Sequence, residues 1–517
     1  MVENLLEGLT LLLRVDTFLM TGFGLMLGMT VGALPGFTTV MAMAIVLPVS
    51  FFMEPLVGIP FLIGVYKGGI YGGSIPAILI NVPGTGASVA TTFDGPALTK
   101  KGQSRKALDM ALFSSVIGDL SSDVFTILMM APIAALALLV GPPELAAIVL
   151  FSLIIISGTT HGVFVKGLIM CTFGIFLSMI GQDPLGGMSR FTFGFFQLKS
   201  GIPLLPLLIG LFALPEILSA VGDKTTAYIA GDKSIIKGGR LAWSELKRCT
   251  KTIFRSTGIG VCLGMVPGVG QVVAAFVGYA AAKKRSKHPE TFGKGELEGI
   301  AAAESANNAV NGPTLVPLLT LGIPGDNVTA ILLGAFVAQG LRPGPQLMVE
   351  QAPLMYAILV AMLLANVIFV VLGYLTIPFF ARIVSIPKSA LLPVTAVFAF
   401  AGSYVFRSDP FDLVLLVFFG IFGFIAKKLK FDVTPLVMGF ILGPILEYSF
   451  GQTVNLAGGD MVSYIIWERP FAGIVFVLSI VAAVTIIWGN YNKMKKIPVD
   501  DIAKNPAAKD EGTSQAE

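Results

Sequence analysis

Two short segments of this chain join a helix breaker to side chains that bind ions. The first is Asn81-Val82-Pro83-Gly84-Thr85-Gly86-Ala87-Ser88, the second Gly322-Ile323-Pro324-Gly325-Asp326-Asn327-Val328-Thr329. Proline lacks a backbone donor and glycine tolerates unusual dihedrals, so a helix interrupted there leaves carbonyls free on one side and N–H groups free on the other. Free carbonyls can coordinate a cation, and the new helix N-terminus can hold a carboxylate. Asn81, Thr85, Ser88 and Asn327 add neutral donors and acceptors. Asp326 adds a ligand for a coupling cation. Gly84 and Gly325 supply the adaptable backbone.

Further polar residues lie in apolar surroundings. Two Pro-Gly tips, Pro35-Gly36-Phe37-Thr38-Thr39 and Pro267-Gly268-Val269-Gly270-Gln271, are expected to face the breaks, with Pro35, Gly36, Thr38, Pro267, Gly268 and Gln271 as candidate residues. Glu304, Asn307, Asn308 and Asn311 recur at i, i+3, i+4 and i+7, one face of a helix. Such a stripe is costly in a bilayer unless it lines a cavity or another helix. Asn307 and Asn308 are therefore candidate substrate contacts, and Glu304 a candidate cation ligand. Lys67 has two readings, a contact for an anionic substrate or an ion pair with a carboxylate such as Glu304. Asp119 and Asp123, at i and i+4, read either as a coupling site for H⁺ or Na⁺ or as solvated acids near a helix start. His161 and Lys166 read as an interfacial turn, Cys262 as packing.

The elements that position these groups follow from composition. Of 517 residues, 55% are hydrophobic and 13% charged, and the mean hydropathy is +0.83. Soluble domains carry about 25% charged residues, so most of this chain must be solvated by a bilayer. Gly (59) and Pro (31) are abundant, which favours interrupted helices over a closed barrel. Three Cys and two His provide neither a disulfide framework nor a His-rich metal site, and no Walker motif is present.

Of 35 Lys and Arg, 18 fall in five clusters: 100–106, 247–255, 283–287, 427–430 and 493–496. The positive-inside rule places all five in the cytoplasm. The apolar runs between them have matching parity. Runs near 107–140, 144–163, 164–182 and 203–220 separate the first two clusters. An interrupted segment near 299–340, then 352–381, 389–405 and 411–426, separates the third and fourth. Runs at 432–450 and 471–490 complete the chain.

The chain also repeats itself. Gly32-Ala33-Leu34-Pro35-Gly36 recurs as Gly264-Met265-Val266-Pro267-Gly268, and Pro76-x6-Pro83-Gly84 recurs as Pro317-x6-Pro324-Gly325. The second tip is flanked by basic clusters on both sides. The first is flanked by Glu3, Glu7, Asp16 and Glu54, with Arg14 as its one cation. Opposite flanking charge predicts opposite orientation, and the crossings 56–98 and 299–340 would then run inward and outward. Inverted repeats with broken helices characterise secondary transporters. A single such motif reads equally as a kink or a close-packing site.

Taken together, Gly32–Gly36, Tyr66–Ser74, Asn81–Ser88 with Thr92-Phe93-Asp94-Gly95, Gly264–Gln271, Glu304–Asn311 and Gly322–Asn327 resemble the large membrane subunit of the tripartite tricarboxylate transporters, over about residues 15–490. The resemblance implies a bacterial inner-membrane permease driven by an ion gradient. It also implies two partners, a small membrane subunit and a periplasmic solute-binding protein that captures a small organic carboxylate.

The expectation is an all-α polytopic membrane protein with two re-entrant hairpins, two broken helices and about nine further spanning helices. Its segments are 1–16, a first repeat 17–220, a cytoplasmic linker 221–256, an inverted second repeat 257–450, an extracytoplasmic loop and last helix 451–492, and a cytoplasmic tail 493–517. No cofactor, no catalytic residue and no nucleic-acid partner are expected, and Na⁺ is the only metal ion that could bind. The rival readings are an intramembrane enzyme and an ion channel.

Overall fold

The computed structural model describes residues 2–12, 14–34, 36–159, 164–222, 236–383, 388–405 and 407–495. Pro35, His161 and the tail from 496 lie outside the described residues. The chain forms two compact units, one of residues 1–139 and 204–424, the other of 140–203 and 425–517.

The first unit begins with α1 (Val2–Leu12), α2 (Val15–Gly32), α3 (Thr39–Ser50), α4 (Pro55–Gly72) and α5 (Ser74–Ile80). A 3-10 helix (Gly86–Phe93), α6 (Gly95–Lys100) and α7 (Ser104–Ala137) follow. The chain then passes through α8 (Pro142–Thr159) and α9 (Phe164–Ser178) of the second unit. It returns as α10 (Leu204–Phe212), α11 (Leu214–Gly222), α12 (Trp243–Gly264), α13 (Gly270–Arg285), α14 (Leu297–Asn308), α15 (Leu315–Leu321) and α16 (Asn327–Ala338). Helices α17 (Leu347–Glu350), α18 (Ala352–Ile383), α19 (Lys388–Val405) and α20 (Pro410–Lys428) complete this run. The second unit ends with α21 (Thr434–Ala457), α22 (Met461–Ser463) and α23 (Pro470–Lys495). Among the described residues the only strands are a two-residue antiparallel pair, Gly181–Gln182 with Ser189–Arg190.

Among the described residues, six helices are long and apolar enough to cross a membrane. The chain is an all-α, multi-pass membrane protein. The predicted runs at 107–140, 352–381 and 411–426 appear as α7, α18 and α20, and the two interrupted crossings appear as α4–α6 and α14–α16. Nothing in the sequence reading anticipated α1, whose Leu12 packs on Ala357 and Ala361 of α18.

Close packing in the first unit depends on glycine. Gly24, Gly28 and Gly32 of α2 and Gly64, Gly68 and Gly72 of α4 recur every fourth residue, so each set makes one stripe. A methyl group on Gly28 would run into the Val65 carbonyl, one on Gly32 would stand 2.5 Å from the Gly69 carbonyl, and one on Gly68 would meet the Met29 nitrogen at 2.9 Å. In a bilayer, where apolar burial does not drive helices together, this backbone approach supplies the dispersion contact. The second copy repeats it: Gly260 of α12 abuts the Ala306 carbonyl, and Gly264 would bring a methyl to 3.0 Å from the Val310 carbonyl. In the second unit, Gly439 of α21 packs on the Cys171 backbone of α9, and Arg190 pairs with Glu447 at 2.7 Å.

Candidate functional site

The two helix breaks lie in the first unit, and their backbones match position by position. Helix α5 ends at Asn81 and α15 at Gly322, both left-handed, with φ of 60° and 73°. The next amide bonds back to the equivalent proline in each, Val82 to the Pro76 carbonyl at 3.4 Å and Ile323 to the Pro317 carbonyl at 3.1 Å. Thr85 and Asp326 are extended N-caps of the helices that follow. A hydroxyl three residues on then bonds the cap backbone. Ser88 Oγ donates to the Thr85 carbonyl at 2.8 Å and accepts from its N–H at 3.2 Å. Thr329 Oγ1 does the same for Asp326, at 3.0 and 2.9 Å. These reciprocal bonds satisfy donors that a helix start would otherwise leave open.

The glycines have a different role from the one predicted. The left-handed backbone falls on Asn81 and Gly322, which glycine and asparagine adopt most readily. Gly84 and Gly325 serve close approach instead. A methyl on Gly84 would stand 2.7 Å from the Gly73 Cα, and one on Gly325 would stand 2.8 Å from the Thr314 Cβ.

The breaks differ in surroundings. Asn81, Val82 and Gly86 are exposed, while Gly322 through Asp326 are buried. In the first break the Thr85 hydroxyl is buried with no hydrogen-bond partner. In the second, Asp326 Oδ1 accepts from the Thr329 N–H at 2.7 Å, and Oδ2 accepts from the Tyr66 hydroxyl at 2.6 Å and from Gln271 Nε2 at 2.5 Å. Gln271 also reaches the Tyr66 hydroxyl.

The second tip meets its break, and the end of α2 meets the first. Gly268 donates its N–H to the Gly325 carbonyl at 2.8 Å, and Gly32, at the end of α2, abuts Gly84. Gly36 and Gly268 share a left-handed φ, 82° and 86°. Thr38 caps α3, its hydroxyl accepting from the Met41 N–H at 3.2 Å. Pro267 lies in the turn between α12 and α13. Val272 of the second hairpin comes up against Gly86 of the first break, so both copies border one region.

A charged cluster lies beside the breaks. Lys67 is completely buried and donates to Asp119 Oδ2 at 2.6 Å and to Asp123 Oδ2 at 2.5 Å. Its partners are these two aspartates rather than Glu304, and neither aspartate is solvated. Asn311 donates to Asp119 Oδ1 at 3.0 Å, and Asn366 of α18 to Asp123 Oδ2 at 2.6 Å. Glu304 accepts from the hydroxyls of Ser74 at 2.6 Å, Thr91, and Ser115 at 3.2 Å, and the Asn307 amide also bonds it. The stripe of α14 therefore faces α7, with Asn308 donating to Ser115 at 2.9 Å. The helix ends at Asn308, so Asn311 sits in the turn beyond it. Asn307 approaches the Ala87 carbonyl at 3.5 Å, and Asn327 is half-buried at the start of α16.

The sequence reading missed Tyr66, Ser74, Thr91, Ser115 and Asn366 as members of these networks. Asn366 left a signal, a lone amide in the apolar run of α18. The hydroxyls left none, because Ser and Thr in membrane helices usually bond their own backbone.

Asp119 and Asp123 share the buried ammonium of Lys67, whereas Glu304 and Asp326 are held by neutral donors. The ammonium offsets one negative charge, so these carboxylates could take up cations or protons from outside. The open break, by contrast, offers amide, hydroxyl and helix-start groups suited to an anion.

The chain is 35% identical over 484 residues to an uncharacterized 52.8 kDa protein in the TAR-I ttuC' 3' region of Agrobacterium vitis, covering 94% of this chain and 96% of that one. It is 36% identical over 225 residues to an uncharacterized protein in the TAR-II ttuC' 3' region of the same organism, covering 44% of this chain and 92% of that one. No solved structure matches. Residues 18–438, which contain both hairpins, both breaks and the buried charge cluster, match a transporter family, and the chain belongs to it: the tripartite tricarboxylate transporter TctA family.

Proposed function

We propose that this chain is the permease subunit of a binding-protein-dependent secondary transporter that takes up small organic carboxylates. It would act in a bacterial inner membrane, driven by an ion gradient, with its C-terminus cytoplasmic. The observation that carries the reading is the contrast between two matched breaks. One is open and neutral, with an unpaired buried hydroxyl at Thr85. The other is closed over a buried carboxylate, Asp326. Broken helices of this kind place anion and cation sites near the bilayer midplane.

In this reading Asn81, Thr85, Ser88, Asn307, Asn308 and Asn327 contact the carboxylate. Asp326, Glu304, Asp119 and Asp123 serve the coupling cation. Lys67 acts as an internal counter-ion to the two α7 aspartates. The halves 17–220 and 257–450 are taken as inverted copies, with the hairpins α2–α3 and α12–α13 entering from opposite sides. A small membrane subunit and a periplasmic binding protein complete the assembly. Tripartite tricarboxylate transporters are named for such three-part machines.

Reconstitution tests this. Proteoliposomes containing the chain and both partners should accumulate labelled citrate, or another carboxylate from a panel of tri-, di- and aromatic acids, saturably and only under an ion gradient. The chain alone should give negligible uptake. Robust uptake by the chain alone, or none by the complete assembly across the panel, overturns the proposal.

A further inference from the structure

We infer that the loop after α9, residues 181–198, is inserted into the bilayer interface, its phenylalanines held by lipid of the leaflet opposite Lys166 and Lys427–Lys430. The inference concerns the boundary of the second unit and stands apart from the carboxylate reading.

Helix α9 is too short for a bilayer. Its 15 residues give about 22 Å at 1.5 Å per residue, against a hydrocarbon core of about 30 Å. Its neighbour α21, with 24 residues, reaches about 36 Å. The two run parallel, Gly174 against the Leu436 backbone and Gly443 against Ser178. They begin at one edge, where Lys166 donates to the Leu429 carbonyl at 3.2 Å. Beyond Ser178 the loop takes the place of α9 beside α21. The shortfall of about 8 Å matches the depth of roughly 5–10 Å at which interfacial segments lie.

The loop continues a lipid-facing surface. The exposed residues of α9, Val165, Leu168, Ile169, Thr172 and Phe176, recur at i, i+3, i+4, i+7 and i+11, one helix face. Phe191 packs on Phe176 with ring centroids 5.5 Å apart, and both are exposed. Leu185 comes up against Gly451 of α21, between the exposed Phe450 and Val454. Phe193 and Phe196 are 74% and 76% exposed, and Met188 and Phe195 are exposed as well. A soluble partner that docks and leaves would return this patch to water each time. Continuity with two lipid-facing helices makes lipid the occupant.

The backbone suits that depth, where polar groups have to be paired. Gly181–Gln182 pairs with Ser189–Arg190, and the N–H groups of Asp183 and Phe195 donate to the Met188 and Thr192 carbonyls, each at 2.8 Å. Arg190 is neutralised by Glu447. Phe191 and Phe193 have left-handed φ of 51° and 49°. Glycine adopts that backbone freely and a bulky residue does not. With Phe193 so exposed, packing inside the chain does not offset the strain, whereas transfer of the ring into lipid does.

The test places a nitroxide on a single cysteine replacing Phe193 or Phe196, in a cysteine-free chain, alone in vesicles of phosphatidylethanolamine and phosphatidylglycerol. Collisions with oxygen, which concentrates in lipid, are compared with those with a water-soluble nickel chelate. Ile169→Cys on the α9 face is the lipid reference and the exposed Glu290→Cys the water reference. Both loop positions are exposed, so neither substitution disturbs packing inside the chain. Both labels should favour oxygen, as Ile169→Cys does. Phe193→Glu should shift the label at 196 toward the nickel chelate, because a carboxylate draws the loop into water. Labels that favour nickel as Glu290→Cys does overturn the inference. So do labels shielded from both reagents, which would mean that this chain or a second copy covers the loop. Shielding that arises only when the small subunit or the binding protein is added would make the loop a docking surface and overturn it too. A label at 196 unmoved by Phe193→Glu would show that lipid is not what holds the loop. None of these readings uses transport, so the permease proposal stands or falls separately.

Discussion

Replacing Lys67 by methionine removes the one buried cation of the charge cluster and keeps most of the length of its side chain. Two bonds are lost, at 2.6 and 2.5 Å, and two completely buried aspartates are left facing each other one helical turn apart. Removing one partner of a buried pair costs about 3–5 kcal/mol, because the remaining charge is uncompensated. That corresponds to roughly a 10²- to 10⁴-fold loss in the ratio of folded to unfolded protein. Asn311 and Asn366 supply one donor to each aspartate, so the cost should lie nearer the lower figure. Adding Asp119→Asn and Asp123→Asn to Lys67→Met makes the cluster neutral, and most of the lost stability should return, since buried ion pairs are seldom stronger than neutral replacements. The assay is thermal unfolding of the three proteins in the same detergent, with the amount in the membrane measured in parallel. Single and triple variants should separate clearly in Tm, and both should fail in carboxylate uptake. A Lys67→Met protein as stable as the parent would refute the argument. So would a triple variant no better than the single one, which would mean that lost packing rather than stranded charge governs.

Other outcomes follow from the same geometry. Gly325→Val should abolish uptake while leaving the protein in the membrane, because its side chain meets Thr314 and forces the break apart; near-normal uptake would make the motif a packing kink. Asp326→Asn should weaken the ion dependence of uptake more than the apparent substrate affinity, and unchanged ion dependence would remove Asp326 from coupling. Asn81→Gly should be tolerated and Asn81→Val should lose about 1–2 kcal/mol, as the left-handed backbone demands, measured by thermal unfolding. Single cysteines at Glu54 and Ser286, in a cysteine-free background, should label from opposite faces of the membrane; labelling from one face would overturn the inverted orientation.

Much of this architecture was legible before any coordinates. The long apolar runs fixed the membrane class, because a bilayer permits little besides helices at such hydropathy. The matched Pro and Pro-Gly spacing located both breaks to the residue, since proline and glycine act on the backbone locally. What was not legible depends on distant neighbours. Lys67 was seen as buried and in need of a partner, but periodicity cannot say which of several acids the fold brings to it. Gly84 and Gly325 were singled out for unusual dihedrals and instead sit at close approaches, because glycine in a sequence does not distinguish the two. Helix α1 went unnoticed because its acids, Glu3 and Glu7, break up a short apolar stretch.

The glycine seam between α2 and α4 has a mechanical consequence. Side chains at an ordinary helix interface can change rotamer and let two helices slide, but bare backbones in contact have no such freedom. Arg14 and Glu54 also tie the starts of the two helices together at 2.7 Å. The pair must therefore travel as one rigid piece, and whatever bending the first copy undergoes is concentrated at the joints after it, Gly73 and Asn81. Lys67 and Tyr66 ride on that piece. A small hinge angle at those joints would shift Lys67 against the aspartates of α7 and Tyr66 against Asp326 in a single stroke, gearing one ion pair to the other break.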